Sequence, residues 1–167
     1  MPKNDLKYID FRTASFRNLN VCKELLERLD NCESKNKNNI LHKIYYLSGY
    51  IIEFSYKYAL FHHLGLNKID NIYNFGDDSF KKKWKDHDFS KLRLLCTDNK
   101  LNFSTDIPYF GSKIENKEIE SLINSWDVQI RYNLSLANNT IMLDESRIKD
   151  FVSSIEDILN KITTKFS

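Results

Sequence analysis

The sequence predicts an all-α fold, an up-and-down bundle of four or five antiparallel helices. The chain has 167 residues but only four glycines and two prolines, too few for the many tight turns that an all-β fold needs. Apolar side chains also recur at helical spacing through several long segments. The length suits one domain, residues 1–167, with a sizeable buried core.

A first helix is predicted over about residues 13–32, because its apolar side chains fall on one face with charged residues between them. These side chains are Phe16, Leu19, Cys22, Leu25, Leu26 and Leu29. The polar stretch ESKNKNN, residues 33–39, indicates a solvated connection in which Asn38 or Asn39 caps the next helix.

A second helix is predicted over about residues 40–64 and is apolar on almost all sides. Its two apolar stripes are Ile40, Ile44, Leu47, Ile51, Phe54 and Tyr58, and Leu41, Tyr45, Ser48, Ile52, Ser55 and Ala59. Two stripes indicate a central helix with neighbours on more than one side, and Gly65 is placed to end it. Gly49 and Glu53 interrupt the apolar pattern. We expect Gly49 to let a neighbouring helix approach closely, and Glu53 to pair with Lys57, four residues on.

The second half of the chain is less regular. Over residues 66–85 the pattern breaks, with NFGDDSF as a turn signal and KKKWK as a short basic run. A shorter helix is predicted in HDFSKLRLLC, another over about residues 115–130, and a closing helix from Asp144, where DESR resembles a cap with acidic residues in the first turn. Their inward-facing residues are Phe89, Leu92, Leu95 or Cys96; Ile119, Leu122, Ile123 and Trp126; and Ile148, Phe151, Val152, Ile155, Ile158, Leu159 and Ile162.

Composition excludes several classes of protein. Three widely spaced cysteines, Cys22, Cys32 and Cys96, argue against a disulfide framework or a zinc site and fit a reducing compartment. The N-terminus has no apolar signal region, and no stretch approaches the ~18 apolar residues of a membrane span. We therefore expect a cytoplasmic protein with no membrane partner. A formal net charge of +2 does not by itself indicate a nucleic-acid binder.

Four motifs in this order resemble the HEPN superfamily of small prokaryotic helical domains. They are the YYLSGYIIEFSYKYAL helix, HDFSKL, the W-x4-RY pattern that ends at Tyr132, and the amphipathic closing helix. Members of the superfamily often carry Gly-Tyr-x-x-Glu-x-x-x-Lys in the second helix, which residues 49–57 match, and the resemblance covers about residues 19–163.

The resemblance implies a fold, a biological setting and partners. The fold is an up-and-down bundle, commonly dimeric, and the setting is a toxin–antitoxin, abortive-infection or other anti-phage system. Many such domains are RNA-cleaving toxins, often encoded beside a minimal nucleotidyltransferase. The expected partners are therefore a second copy of the chain or a defence-system protein, together with RNA or a nucleotide.

The catalytic pattern of such domains, an Arg followed by a His four to six residues later, is incomplete here. Arg131 is in the place of the Arg, but Ser135, Leu136, Ala137 and Asn138 cover the expected positions of the His. Metal-free RNA cleavage needs a proton-transfer group with a pKa near 7, whereas an Arg stays charged and can only clamp phosphate.

We therefore expect a catalytically degenerate protein that binds RNA, a nucleotide or a protein partner. The residues expected to bind are Arg131, Tyr132, Glu53 and Lys57. The alternative role for Arg131 is a salt bridge to Glu53 inside the bundle.

Two other functions remain open at this point. One is an active metal-free endoribonuclease toxin, in which Arg131 works with a displaced general base, His87 or Glu53. The other is a helical scaffold or dimerisation module, in which the polar residues only hold the bundle together.

The remaining candidates favour structural roles. Residues 81–87, KKKWKDH, could hold a nucleic-acid backbone and stack a base, but a solvated basic loop with Trp84 in the core is the expected alternative. His62 and His63 suit the C-terminal dipole of the second helix, and the histidine spacing predicts no metal site. Without Gly-rich phosphate loops, the sequence also predicts no cofactor.

Overall fold

The structure is a computed structural model that describes residues 5–29, 31–101, 103, 107, 109, 116–131 and 143–167, without the side chains of Ser34, Gln129 and Arg131. Six α-helices lie in these residues: α1 (Tyr8–Leu29), α2 (Ser34–His63), α3 (Asp78–Lys85), α4 (Phe89–Asp98), α5 (Lys117–Asn124) and α6 (Glu145–Lys165). Short 3₁₀ segments lie at Ile72–Asn74 and Val128–Arg131. The predicted all-α fold is confirmed.

Helix α2 is the central element of the bundle, as its two apolar stripes predicted. It packs against α1 on one side and α6 on another, and also contacts α4 and the segment Val128–Arg131. Its buried hydroxyl groups have partners: Ser55 Oγ donates to the Ile51 carbonyl at 2.7 Å, and Ser48 Oγ lies 3.8 Å from Cys22 Sγ. Such local bonds let polar side chains be buried without losing a hydrogen bond.

The C-terminal end of α2 is a Schellman motif. Gly65 has a φ of +77°, and its N–H donates to the carbonyl of His62 while the N–H of Leu66 donates to that of Phe61. A glycine adopts this left-handed conformation without steric strain. The predicted role of Gly65 as the helix terminator is confirmed.

Several predicted boundaries were wrong. Helix α1 begins at Tyr8, and α2 already begins at Ser34, so Asn38 and Asn39 lie inside α2 and do not cap it. Residues 33–39 were expected to be a connection because they lack apolar side chains. Glu33 is the N-cap residue, and residues 34–39 lie in the first turns of a long helix whose remainder is mostly buried, so packing further along supports them.

Helix α3 was not predicted, and with it the described residues contain six helices where four or five were expected. Asp77 caps it by accepting from the Phe80 N–H at 2.8 Å, and Trp84 anchors its buried side. Apolar residues only at positions 80 and 84 were too few to show a helical period.

The helix predicted over residues 115–130 is shorter than expected. Helix α5 ends at Asn124, and a separate 3₁₀ segment begins at Val128. Its predicted buried face is nevertheless confirmed, and so is the buried stripe of α6. Asp144 caps α6 as expected, accepting from the Arg147 N–H at 2.9 Å.

No helix in the described part of the chain has an apolar stretch long enough to cross a bilayer.

Candidate functional site

Gly49 makes room for the indole of Trp126. A Cβ atom at position 49 would lie 2.0 Å from Trp126 Cε2 and Nε1, and Nε1 donates to the carbonyl of Tyr46 at 3.1 Å. The expectation that Gly49 allows close approach is therefore met, but by a side chain and not by a neighbouring helix. This contact fixes against α2 the segment that leads from α5 into Val128–Arg131.

Glu53 and Lys57 form a buried ion pair one helical turn further along α2. Glu53 is 0% exposed and Lys57 is 3% exposed, and Lys57 Nζ lies 2.6 Å from Glu53 Oε1. The ammonium also lies 5.9 Å from the ring centroid of Phe11 and 5.8 Å from that of Trp84, within the range of cation–π attraction. The predicted pairing along the helix is confirmed, and it takes place away from solvent.

His87 completes this polar cluster from another part of the chain. Its Nδ1 donates to Glu53 Oε2 at 2.9 Å, and its side chain is 44% exposed. A carboxylate can only accept, so Nδ1 carries a proton whether the ring is neutral or charged, and Nε2 is the nitrogen left for another group. The ring of Tyr50 meets the imidazole edge-on, with centroids 5.9 Å apart. Glu53 and His87, predicted separately as candidates, are thus brought together.

Residues on both sides of His87 hold it in place. Asp88 caps α4, accepting from the backbone N–H groups of Ser90 at 2.8 Å and Lys91 at 3.2 Å. Asp86 accepts from Lys91 Nζ at 2.7 Å, and this hydrogen bond lowers the pKa of the Asp86 carboxyl group. Because both neighbours are bonded to the first turn of α4, the backbone at His87 is well defined.

A cleft of about 430 Å³ opens beside His87. It is lined by Asp86, His87, Asp88, Phe89, Ser90, Asn124, Trp126, Asp127 and Val128. The rings of Phe89 and Trp126 stack with centroids 4.9 Å apart and planes 11° apart, and both side chains are more than 90% buried. The described residues place no group of three or more His, Cys, Asp or Glu side chains where it could hold a metal ion.

The two remaining predicted site residues, Arg131 and Tyr132, are only partly covered by the described residues. Arg131 ends the 3₁₀ segment that begins in the wall of the cleft, but its side chain lies outside the described residues, as does all of Tyr132. The expected alternative pairing of Arg131 with Glu53 therefore stays a prediction. Glu53 already has a partner at each oxygen, Lys57 and His87.

The basic run is a helix with structural roles. Trp84 is 3% exposed and packs edge-on against Phe61, which confirms the expectation that it lies in the core. Lys82, Lys83 and Lys85 occupy the last turn of α3, where positive charge suits the helix dipole. The run therefore has no exposed Trp on which a base could stack.

The histidines at the end of α2 also have structural partners. A ring nitrogen of His63 lies 3.1 Å from the carbonyl oxygen of Asn99, just beyond α4. The ring of His62 meets that of Phe166 edge-on at 5.7 Å.

Sequence reasoning missed the cleft itself. Asp88 had a usable signal, since an Asp directly before the apolar period of HDFSKL is a typical helix cap. Tyr50 and Phe89 had no such signal in the sequence, because each matches the apolar pattern of a helix. Comparison of the chain with protein-family models, with curated proteins and with solved structures found no match, so the HEPN relationship stays a prediction from the motifs.

Proposed function

We propose that this protein is a HEPN-like, catalytically degenerate component of a prokaryotic anti-phage or toxin–antitoxin module, and that it binds RNA or a nucleotide at the His87 cleft. One observation supports this proposal above the others: a fully buried carboxylate, Glu53, holds a half-exposed imidazole at the mouth of a cleft. A concave site with a few convergent polar groups is the default candidate for a binding or catalytic site.

Binding fits the residues better than turnover does. Cleavage needs both a general base and a general acid that act near neutral pH, and His87 is the one imidazole among the described residues that line the cleft. Arg131, at the end of the segment that leaves the cleft wall, has the right chemistry to clamp a phosphate. In this proposal, Arg131 binds the phosphate of the ligand, and His87 binds a polar group of the same ligand.

Fluorescence anisotropy with a short single-stranded RNA in EDTA tests this proposal, with a denaturing gel to follow the integrity of the RNA. We expect saturable binding, an intact RNA, and binding weaker by about tenfold or more in Arg131→Ala, because a charge-assisted contact is lost. Arg17→Ala, on the exposed side of α1, removes the same charge and is the matched control.

Absence of RNA or nucleotide binding by the folded wild-type protein would contradict the proposal. It would leave a protein partner, or a helical scaffold held together by the buried Glu53–Lys57 pair, as the function.

The second candidate function is an active metal-free endoribonuclease toxin. The hydrogen bond from His87 Nδ1 to Glu53 favours it, because a general base is commonly oriented by a carboxylate in this way. Cleavage in EDTA that is lost in both Arg131→Ala and His87→Asn would establish this function over the degenerate one. An RNA that stays intact with purified wild-type protein would exclude it.

A further inference from the structure

We propose that His87 Nε2 accepts a hydrogen bond from a ribose 2′-hydroxyl group, so that the cleft distinguishes RNA from DNA. This inference rests on the proposed function and names the chemical group that the same site recognises. Three features support it: the hydrogen bond from His87 Nδ1 to Glu53, the carboxylates that line the cleft, and the burial of the Phe89 and Trp126 rings.

The hydrogen bond between His87 and Glu53 determines what Nε2 can do. Because Nδ1 donates to Glu53 Oε2, the neutral ring has its lone pair at Nε2. Tyr50 packs edge-on against the same imidazole, with ring centroids 5.9 Å apart. A ligand atom that meets Nε2 of the neutral ring is then a donor, which means a hydroxyl or an N–H group.

The carboxylates around the cleft disfavour a phosphate in the same place. Asp86, Asp88 and Asp127 line the cleft, and the ammonium group of Lys91 lies close to Asp86 and Asp88. At the neutral ring a phosphate oxygen would be an acceptor facing an acceptor, and it would lie near carboxylates of like charge. The phosphate therefore belongs outside the cleft, toward Arg131, and an uncharged part of the nucleotide belongs inside.

The aromatic rings favour the ribose over the base as that part. Proteins that hold single-stranded bases stack them on exposed aromatic faces. Apart from the imidazole of His87 itself, Phe89 and Trp126 are the aromatic residues that line the cleft. They stack on each other and are buried, and the indole also lies against Gly49. A ribose needs no such face, and its 2′-hydroxyl is the donor that DNA lacks.

Binding of three oligonucleotides of one sequence tests the inference, namely RNA, DNA and 2′-O-methyl RNA. The 2′-O-methyl form keeps the 2′ oxygen but has no donor there. We expect RNA to bind about three- to tenfold more tightly than either of the other two, as the loss of one neutral hydrogen bond predicts.

The variant His87→Asn separates recognition from folding. The asparagine amide can still donate to Glu53 from near the position of Nδ1, but it has no atom at the position of Nε2. We expect His87→Asn to keep the melting temperature close to that of the wild type, to bind DNA as the wild type does, and to bind RNA no better than DNA. His63→Asn removes another exposed imidazole and should leave the preference for RNA unchanged.

Failure of the inference and failure of the proposed function give different results. Equal binding of RNA and DNA by the wild type, or a preference for RNA that survives in folded His87→Asn, would overturn the inference and leave the proposed function standing. Binding of none of the three oligonucleotides would overturn both.

Discussion

Glu53 is the residue on which the polar cluster depends. It has no exposure to solvent, and its two oxygens accept from a buried ammonium and from a half-exposed imidazole. A buried charge is tolerated only when such partners compensate for the lost hydration. One carboxylate therefore neutralises Lys57 inside the bundle and orients His87 at its surface.

Removing the charge of Glu53 should destabilise the protein strongly. In Glu53→Gln the Lys57 ammonium stays buried without a counter-charge, and we expect a loss of about 3–5 kcal/mol in the free energy of unfolding. Urea denaturation measures this loss. The double variant with Lys57→Met removes the stranded charge as well, so it should be more stable than Glu53→Gln alone. Two losses that simply add would contradict a coupled ion pair.

Replacing Gly49 by alanine tests the contact with Trp126. Alanine raises the helix propensity by about 1 kcal/mol, but its methyl group would lie 2.0 Å from the indole. We therefore expect a net loss of about 1–3 kcal/mol in the free energy of unfolding and a change in tryptophan fluorescence. In a Trp126→Ala background the clash is gone, and the same substitution should be stabilising. Stabilisation by Gly49→Ala in the wild-type background would disprove the contact.

At the scale of elements, the connection from α3 to α4 positions the site. Asp88 caps α4 and Asp86 binds Lys91 in its first turn, so the residue between them is presented to α2 by a short and well-bonded segment. These hydrogen bonds restrain the backbone at His87 and so limit the positions that its imidazole can take. The same hydrogen bonds make this connection sensitive to acid.

The hydrogen bond from Lys91 lowers the pKa of Asp86 below its ordinary value. A carboxyl group whose pKa is lower in the folded state contributes stability above its unfolded pKa, and this contribution is lost as the pH falls through the folded pKa. The loss thus lies below about pH 4. Lys91→Met should raise the pKa of Asp86 toward the ordinary value, which carbon NMR of the carboxyl group measures. An unchanged Asp86 pKa in this variant would show that Lys91 is not the cause.

The long, strongly periodic elements were the predictable part of the fold. The stripes of α2 and α6 and the cap at Asp144 follow directly from residue type and spacing. Helix α3 was not predicted because only two of its residues, both aromatic, are apolar and the rest are mostly lysines. The first turns of α2 were not predicted because they are polar. Local patterns cannot show an element that tertiary packing stabilises.

The candidate site was predictable only in parts. Glu53 and His87 were both singled out, but they are 34 residues apart, and no local pattern states that they touch. The pairing of Glu53 with Lys57 could be predicted because both lie on one helix, four residues apart. Convergence of distant segments depends on how the helices pack, which one sequence does not specify by spacing alone.

At the scale of the whole molecule, one set of elements forms the core of the bundle and another lines the cleft. Helices α1, α2 and α6 pack together through long buried stripes. The start of α4, the end of α5 and residues 126–128 line the cleft. Glu53, which holds His87, is buried in the central helix α2, and a site held by a well-packed element is positioned more precisely than one on a loop.

RNA binding at the His87 cleft is best tested by NMR of the histidine side chains during an RNA titration. The chain has four histidines, and the ring nitrogens of His87 can be assigned with the His87→Asn variant. We predict that the Nε2 resonance of His87 shifts saturably as RNA is added, while the resonances of His63 stay in place. Saturable RNA binding that leaves His87 unchanged would contradict the account.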